Sequence, residues 1–196
     1  MKNKKGRLEV ITGPAFSGKT EELIKRIRRA TYANQGVAIF KSKLDDRYDK
    51  TKVVTHNGTS IESVIVEDIY DIIEYIENSV YKIDVVGVDE FQFIKPDDWR
   101  ENIALVNYCI DRGIRLIIVG LDMNFKKEPF ENMLGLFALA DEVIKLNAVC
   151  VKCGNPANLI QRITDGKPAS KHEPVILVGG LDRYEARCRD CYELGD

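Results

Sequence analysis

The chain has 196 residues, 44% hydrophobic and 31% charged, with a formal net charge of −2. That length supports one sizeable core, or one domain plus a small appendage, and the composition excludes a disordered chain. The charge balance argues against a dedicated nucleic-acid binder. With no apolar run long enough for a bilayer and no signal-peptide core, a cytosolic protein without a membrane partner is expected.

Lys2, Lys4 and Lys5 open the chain and read as a solvated terminus. Leu8–Thr12 is a short β-rich run. Gly13-Pro14-Ala15-Phe16-Ser17-Gly18-Lys19-Thr20 follows, and Glu21–Ile27 then carries apolar residues at helical spacing. Strand, G-x-x-x-x-G-K-T loop and helix form a phosphate-binding arrangement rather than an ordinary glycine turn. Gly13 and Gly18 allow the backbone angles that turn N–H groups toward a phosphate chain, and the helix presents its positive end to it. Lys19 then falls on the β/γ-phosphates and the Thr20 hydroxyl on Mg²⁺.

Val37–Phe40 is a second buried strand, followed by Lys43-Leu44-Asp45-Asp46-Arg47. Arg47 there is either a stabiliser of the transferred phosphoryl charge or an exposed loop charge. Asp68–Asn78 places Ile69, Ile72, Ile73 and Ile76 on one helical face. Val85–Val88 is a third strand, ending in Asp89-Glu90. A carboxylate at Asp89 is placed to hold Mg²⁺. Glu90 beside it can accept a proton from an attacking hydroxyl or orient a water. Phe91, Gln92 and Phe93 follow; Gln92 can bond substrate or a metal-bound water, and Phe93 can pack on a flat ring or on the core.

Pro96-Asp97-Asp98 predicts the start of a helix running to about Arg112 and stopping at Gly113, with Cys109 a buried hydrophobe. Leu116–Val119 is a fourth strand, ending at Gly120-Leu121-Asp122. Continuous apolar strands alternating with helices predict an α/β fold, a parallel sheet covered on both faces. Its ligands then gather at the carboxyl ends of the strands. Residues 13–20, Asp89-Glu90 and 120–125 all follow strand ends and can share one cleft.

The composition changes near Ala148, and a domain boundary is expected at about residue 147. Cys150 and Cys153 form one C-x-x-C, Cys188 and Cys191 a second. Two such turns can close a four-thiolate zinc shell with no open position, hence a structural ion. A pair of redox dithiols is the alternative. The intervening stretch is long for a zinc ribbon, so it has room for a second task. A piece this short needs a metal or a partner to hold together. His56 and His172 have no metal-like neighbours.

On these residues alone, a small-molecule kinase and a zinc-ribbon ATPase acting on DNA or a protein stand nearly level. Glu90 argues against a module that only binds nucleotide. The acidic balance and short chain favour the kinase, since a translocase needs a surface that tracks backbone phosphates.

In order, the phosphate loop, Asp45-Asp46-Arg47-Tyr48, Val88-Asp89-Glu90-Phe91-Gln92-Phe93, Gly120-Leu121-Asp122 with Phe125 and Pro129-Phe130, and the two C-x-x-C pairs flanking Val178-Gly179-Gly180 and Tyr184 resemble the zinc-containing thymidine kinases. The likeness runs from about residue 7 to 192. It implies a P-loop, RecA-like parallel sheet, with residues 1–147 binding ATP. It implies that residues 148–196 form a small zinc-ribbon domain carrying a lasso loop over the nucleoside. The activity implied is transfer of the ATP γ-phosphate to the 5′-hydroxyl of thymidine. The resemblance assigns Glu90 as general base, Thr20 and Asp89 to Mg²⁺, and Lys19 and Arg47 to the phosphates. Residues 13–20, Asp45, Asp46, Arg47 and 89–92 together are its ATP site. On the nucleoside it assigns Phe93, Leu121, Phe125, Phe130, Ile160, Tyr184 and the lasso residues Val175, Ile176, Leu177, Val178 and Gly179, with Phe125 and Tyr184 flanking the thymine. It also implies a homotetramer and feedback by thymidine triphosphate. The chain departs from the family at Ala15, where Met or Tyr is common, at Ile160, often Thr, and at Ile94, usually Phe. These changes alter the nucleoside pocket, which makes deoxyuridine an expected second substrate.

Overall fold

A computed structural model describes residues 5–44, 52–54, 60–176 and 183–196. Asp45, Asp46, Arg47, Leu177, Val178 and Gly179, assigned above to ligands, lie outside the described residues, as do Tyr48 and His56. The strands are β1 (Arg7–Thr12), β2 (Val37–Ser42), β3 (Lys52–Val54), β4 (Ser60–Glu62), β5 (Val64–Val66), β6 (Val85–Asp89), β7 (Arg115–Gly120) and β8 (Glu142–Lys145). The helices are α1 (Lys19–Tyr32), α2 (Ile69–Asn78), α3 (Trp99–Asp111) and α4 (Glu131–Leu139). Six strands form one sheet in the order β5-β2-β6-β7-β1-β8, every neighbouring pair parallel. β3 and β4 pair antiparallel apart from it.

The two-residue period of a strand sorts the core. Ile11, Ile39, Val85, Ile117 and Val119 face Leu23, Ile24, Ile27 and Ala30 of α1. Leu8, Val10, Phe40, Val86, Val88, Leu116 and Ile118 face α2, α3 and α4, among them Ile69, Ile72, Leu105, Cys109, Met133 and Leu136. Both faces are therefore apolar, which is why these strands read as continuous apolar runs. Each such Leu or Ile stabilises the fold by about 1.5–3 kcal/mol through burial. Gly87 lets α1 close on the sheet: a Cβ there would stand 3.0 Å from Leu23 Cδ1 and 3.2 Å from Ile27 Cδ1.

The helix starts follow local chemistry. Asp68 caps α2 by accepting from the N–H groups of Tyr70 and Asp71, while Asp71 accepts in return from Asp68 N–H. Asp98 caps α3 through Arg100 N–H, so that helix begins at Trp99 rather than at Pro96, whose bond to Lys95 is cis. Gly113 (φ 74°) follows the end of α3 as expected. The chain leaves β1 toward α1 on one face and leaves β6 and β7 toward α3 and α4 on the other. This change of side opens the crevice at their carboxyl ends.

Beyond the sheet come β9 (Ala148–Val149), β10 (Pro156–Ala157), β11 (Leu159–Thr164), β12 (Lys167–Pro168) and β13 (Tyr184–Arg187). β9 pairs antiparallel with β10, and β11 lies between β12 and β13. One C-x-x-C follows β9 and the other follows β13.

Candidate active site

The phosphate loop wraps on itself before α1. Gly13 and Gly18 hold φ of 139° and 83°, and Phe16 also sits at positive φ, 65°, with its ring exposed. Ser17 Oγ donates to Pro14 O at 2.8 Å, and Lys19 Nζ to the same carbonyl at 2.7 Å. Lys19 is buried. Its ammonium thus lies back over the loop. Ala15 is half-buried within this turn.

Thr20 Oγ1 donates to Asp89 Oδ2 at 3.0 Å, which joins the start of α1 to the end of β6. Two adjacent ligands of an octahedral ion bound at about 2.1 Å stand about 3 Å apart. The pair therefore fits Mg²⁺ in both chemistry and spacing. The other Asp89 oxygen, Oδ1, accepts from Glu90 N–H at 3.0 Å. Glu90 itself takes a left-handed backbone, φ 52°, and begins a single 3₁₀ turn, Phe91–Phe93. That reversal carries its carboxylate out of the strand line, where a non-glycine residue is rarely found without support.

The support comes from two amides. Gln92, 4% exposed, donates through Nε2 to Glu90 Oε2 at 2.5 Å and accepts through Oε1 from Leu121 N–H at 2.9 Å. Both ends of Gln92 are thus engaged within the protein, where the sequence left it open to substrate or to a metal water. Asn132 of α4 donates to Phe91 O at 2.9 Å and to Ile94 O at 3.1 Å, and Asn102 of α3 donates to Asn132 O at 2.9 Å. Phe91 is fully buried in the core. Phe93 and Phe130 meet edge to face, centroids 6.1 Å apart.

The second half of the site is built around Arg162, which the sequence reading passed over. Its guanidinium carbon stands 4.0 Å from the Phe125 ring centroid and 5.1 Å from that of Tyr184. Nothing in the sequence singles it out; only the fold sets Arg162 opposite Tyr184 in the β11–β13 register, within the buried first four residues of β11. Ile160 is buried opposite Ala186, and Val175 and Ile176 mark the described beginning of the expected lasso. Tyr192 donates its hydroxyl to Phe125 O, and the Lys127 ammonium lies 4.9 Å from the Tyr192 ring, so the C-terminal segment grips the loop after β7.

Cys150, Cys153, Cys188 and Cys191 bring their sulfurs within 4.8 Å of one another, with Cys153 and Cys188 at 3.6 Å. A zinc tetrahedron with bonds of about 2.3 Å has edges near 3.8 Å, so the four sulfurs fit that ion. Burial raises the Cys150 thiol, yet the N–H groups of Cys188, Lys152 and Cys153 outweigh it and bring it to about 6, while hydrogen bonds with the Cys188 and Cys153 sulfurs push Cys191 up to about 12, so the four thiols titrate as one cluster. Cys109 lies apart in the core, where burial pushes its thiol up to about 12.

The family model described as Thymidine kinase matches residues 6–192. The chain belongs to the thymidine kinase family. It is 46% identical over 188 residues to a protein named "Thymidine kinase" from Chloroflexus aurantiacus strain J-10-fl, covering 96% of this chain and 95% of that protein. It is equally similar, over the same shares, to the protein of that name from strain Y-400-fl. The P-loop sheet with its cysteine cluster is thus the fold expected of a zinc-type member, and kinase membership implies ATP as a ligand. Among the described residues, no helix is long and apolar enough to cross a membrane.

Proposed function

We propose that this member of the thymidine kinase family transfers the γ-phosphoryl group of ATP to the 5′-hydroxyl of thymidine with Glu90 as the general base. The observation that carries this reading is the chain of bonds Thr20–Asp89–Glu90–Gln92–Leu121. It sets the Glu90 carboxylate next to a Mg²⁺-fitting pair and, through Gln92, ties it to the chain just past the end of β7. A hydrolase would have little use for Phe93 and Phe130 there.

In this mechanism Lys19 turns from Pro14 O to the β/γ-phosphates, and the loop N–H groups hold the chain. Thr20 and Asp89 would hold Mg²⁺, which would supply neutralisation of the phosphate charge. The family resemblance assigns Asp45, Asp46 and Arg47 to ATP as well. Glu90 takes the proton from the 5′-hydroxyl as the oxygen attacks, and Gln92 keeps that carboxylate in line. Phe93, Leu121 and Phe130 pack on the nucleoside, Phe125 and Tyr184 flank the thymine, and Ile160 with residues 175–179 complete the pocket. In this reading, residues 1–147 are the ATP-binding part and 148–196 the part held by zinc over the nucleoside. Excluding water there protects the phosphoryl group from hydrolysis.

Ala15 enlarges the pocket and Ile160 fills it, so phosphorylation of deoxyuridine beside thymidine is part of the reading. Family membership supports a homotetramer, feedback by thymidine triphosphate and a cytosolic role in nucleotide salvage. The test is a panel of nucleosides with Mg-ATP, monitored for 5′-monophosphate. Thymidine is expected to give the fastest product. Steady ATP hydrolysis that ignores every nucleoside and rises with DNA would replace this reading.

A further inference from the structure

Arg162 is the largest side chain fully hidden from solvent among the described residues, and it is charged. No carboxylate lies within hydrogen-bond distance of it among the described residues; the nearest, Glu173 Oε2, is 4.0 Å from Nη1. Glu173 is itself held by Thr164 Oγ1 at 3.1 Å and Ser170 N–H at 3.2 Å. Neutral oxygens satisfy the guanidinium instead. Nη1 donates to Pro174 O at 2.5 Å and Nη2 to Val175 O at 2.6 Å. Nε donates to Tyr184 Oη at 2.9 Å, and Nη2 reaches the same oxygen. The planar cation also lies against the Phe125 ring.

A buried ion is weak evidence for stability, because an apolar residue of similar size often serves as well. What an apolar residue cannot do is bind three separate segments with directed donors. Arg162 joins the loop after β7 through Phe125, strand β13 through Tyr184, and the chain at 174–175 through two carbonyls. Lysine cannot copy this, because its three donors radiate from one point and cannot lie flat on a ring.

We propose that Arg162 is a positioning residue for the nucleoside side of the site. It fixes the mutual placement of Phe125, Tyr184 and the Val175 carbonyl, and so sets thymidine affinity while leaving the ATP side untouched. This rests on the assignment of Phe125 and Tyr184 to the base. It adds that one buried guanidinium, with no substrate contact of its own, holds them.

The test uses full-length Arg162→Ala, Arg162→Lys and Tyr184→Phe, assayed for KM of thymidine and of ATP, kcat, zinc content and melting temperature. Arg162→Ala is expected to raise the thymidine KM roughly tenfold or more while the ATP KM stays within about twofold. Millimolar guanidinium ion, too dilute to denature, should fill the vacated space and restore part of the thymidine affinity of Arg162→Ala while leaving wild type unchanged. Arg162→Lys should recover little. If Arg162→Ala does not fold, Tyr184→Phe and Arg162→Lys decide, because each disturbs the same oxygen–guanidinium contact and their effects on thymidine KM should be less than additive. A lower melting temperature with both KM values unchanged, or equal losses toward ATP and thymidine, overturns the proposal. Wild-type protein that fails to phosphorylate thymidine overturns the functional reading itself; normal wild-type turnover with indifferent variants overturns this inference alone.

Discussion

Gln92 Nε2 donates to Glu90 Oε2 at 2.5 Å while its other end accepts from Leu121 N–H, so one buried amide fixes the Glu90 carboxylate against the end of β7. The amide works only as a pair, donor toward Glu90 and acceptor toward Leu121. Gln92→Leu keeps the size and removes both bonds. The expected result is a fall in kcat of about tenfold to a hundredfold, as a misplaced base gives, with ATP affinity unchanged. Steady-state kinetics with a separate ATP-binding titration checks this; an unchanged kcat would leave Gln92 a packing residue.

Much of this arrangement was legible from the sequence because it depends on local chemistry. The loop 13–20 carries its own glycines, Asp68 and Asp98 mark helix starts, and Val85–Val88 is too apolar and too short for anything but a buried strand. The cysteines announced themselves by spacing. Other parts depend on contacts between distant segments. Asn132 looks like an ordinary first-turn residue of α4, yet it satisfies two carbonyls of the turn after Glu90. Helix α4 itself was missed, with Gly135 in its middle; that glycine admits Trp99, whose Cε3 would stand 2.0 Å from a Cβ there. β5 and β8 escaped for a different reason. Edge strands of three and four residues that are half exposed lack the continuous apolar run that marks the central ones. Arg162 was invisible because a charged residue in a short β-rich stretch reads as solvent-facing.

Zinc binding and nucleoside binding should fail together. Cys153→Ser removes one of four candidate zinc ligands, and among the described residues the segment from β9 to β13 buries few large apolar side chains, its small cluster being alanines and cysteines. Metal analysis should find less than one zinc per chain, and the thymidine KM should rise at least tenfold while the phosphate side changes less. Full activity in metal-stripped protein would contradict the anchoring role.

Glu9 offers a prediction in pH. It is buried on β1, which raises its pKa, but hydrogen bonds from Arg115 and Arg26 and the charges of Arg115 and Arg7 outweigh burial and hold it below 4.5. Arg115 grips it with two bonds of 2.6 and 2.7 Å. A carboxyl with a lowered folded pKa contributes stability above its unfolded value and loses it as pH falls through the folded value. Glu9→Gln should therefore lower stability by about 3 kcal/mol at neutral pH. The gap to wild type should narrow below about pH 4. Thermal or urea unfolding of both proteins across that range measures it; a gap independent of pH would show that the lost bonds, not the charge, matter.

The most direct measurement is single-turnover phosphorylation of thymidine by wild type and Glu90→Gln with Mg-ATP, alongside ATP and thymidine binding. Glutamine keeps the shape and can still meet Gln92, but it cannot take a proton. Binding of both ligands within about threefold of wild type, with phosphoryl transfer slower by about 10²–10⁴, is the predicted result. Transfer at a near-normal rate in Glu90→Gln would contradict the role of Glu90 as the base, and with it the mechanism built on the Asp89–Glu90 turn.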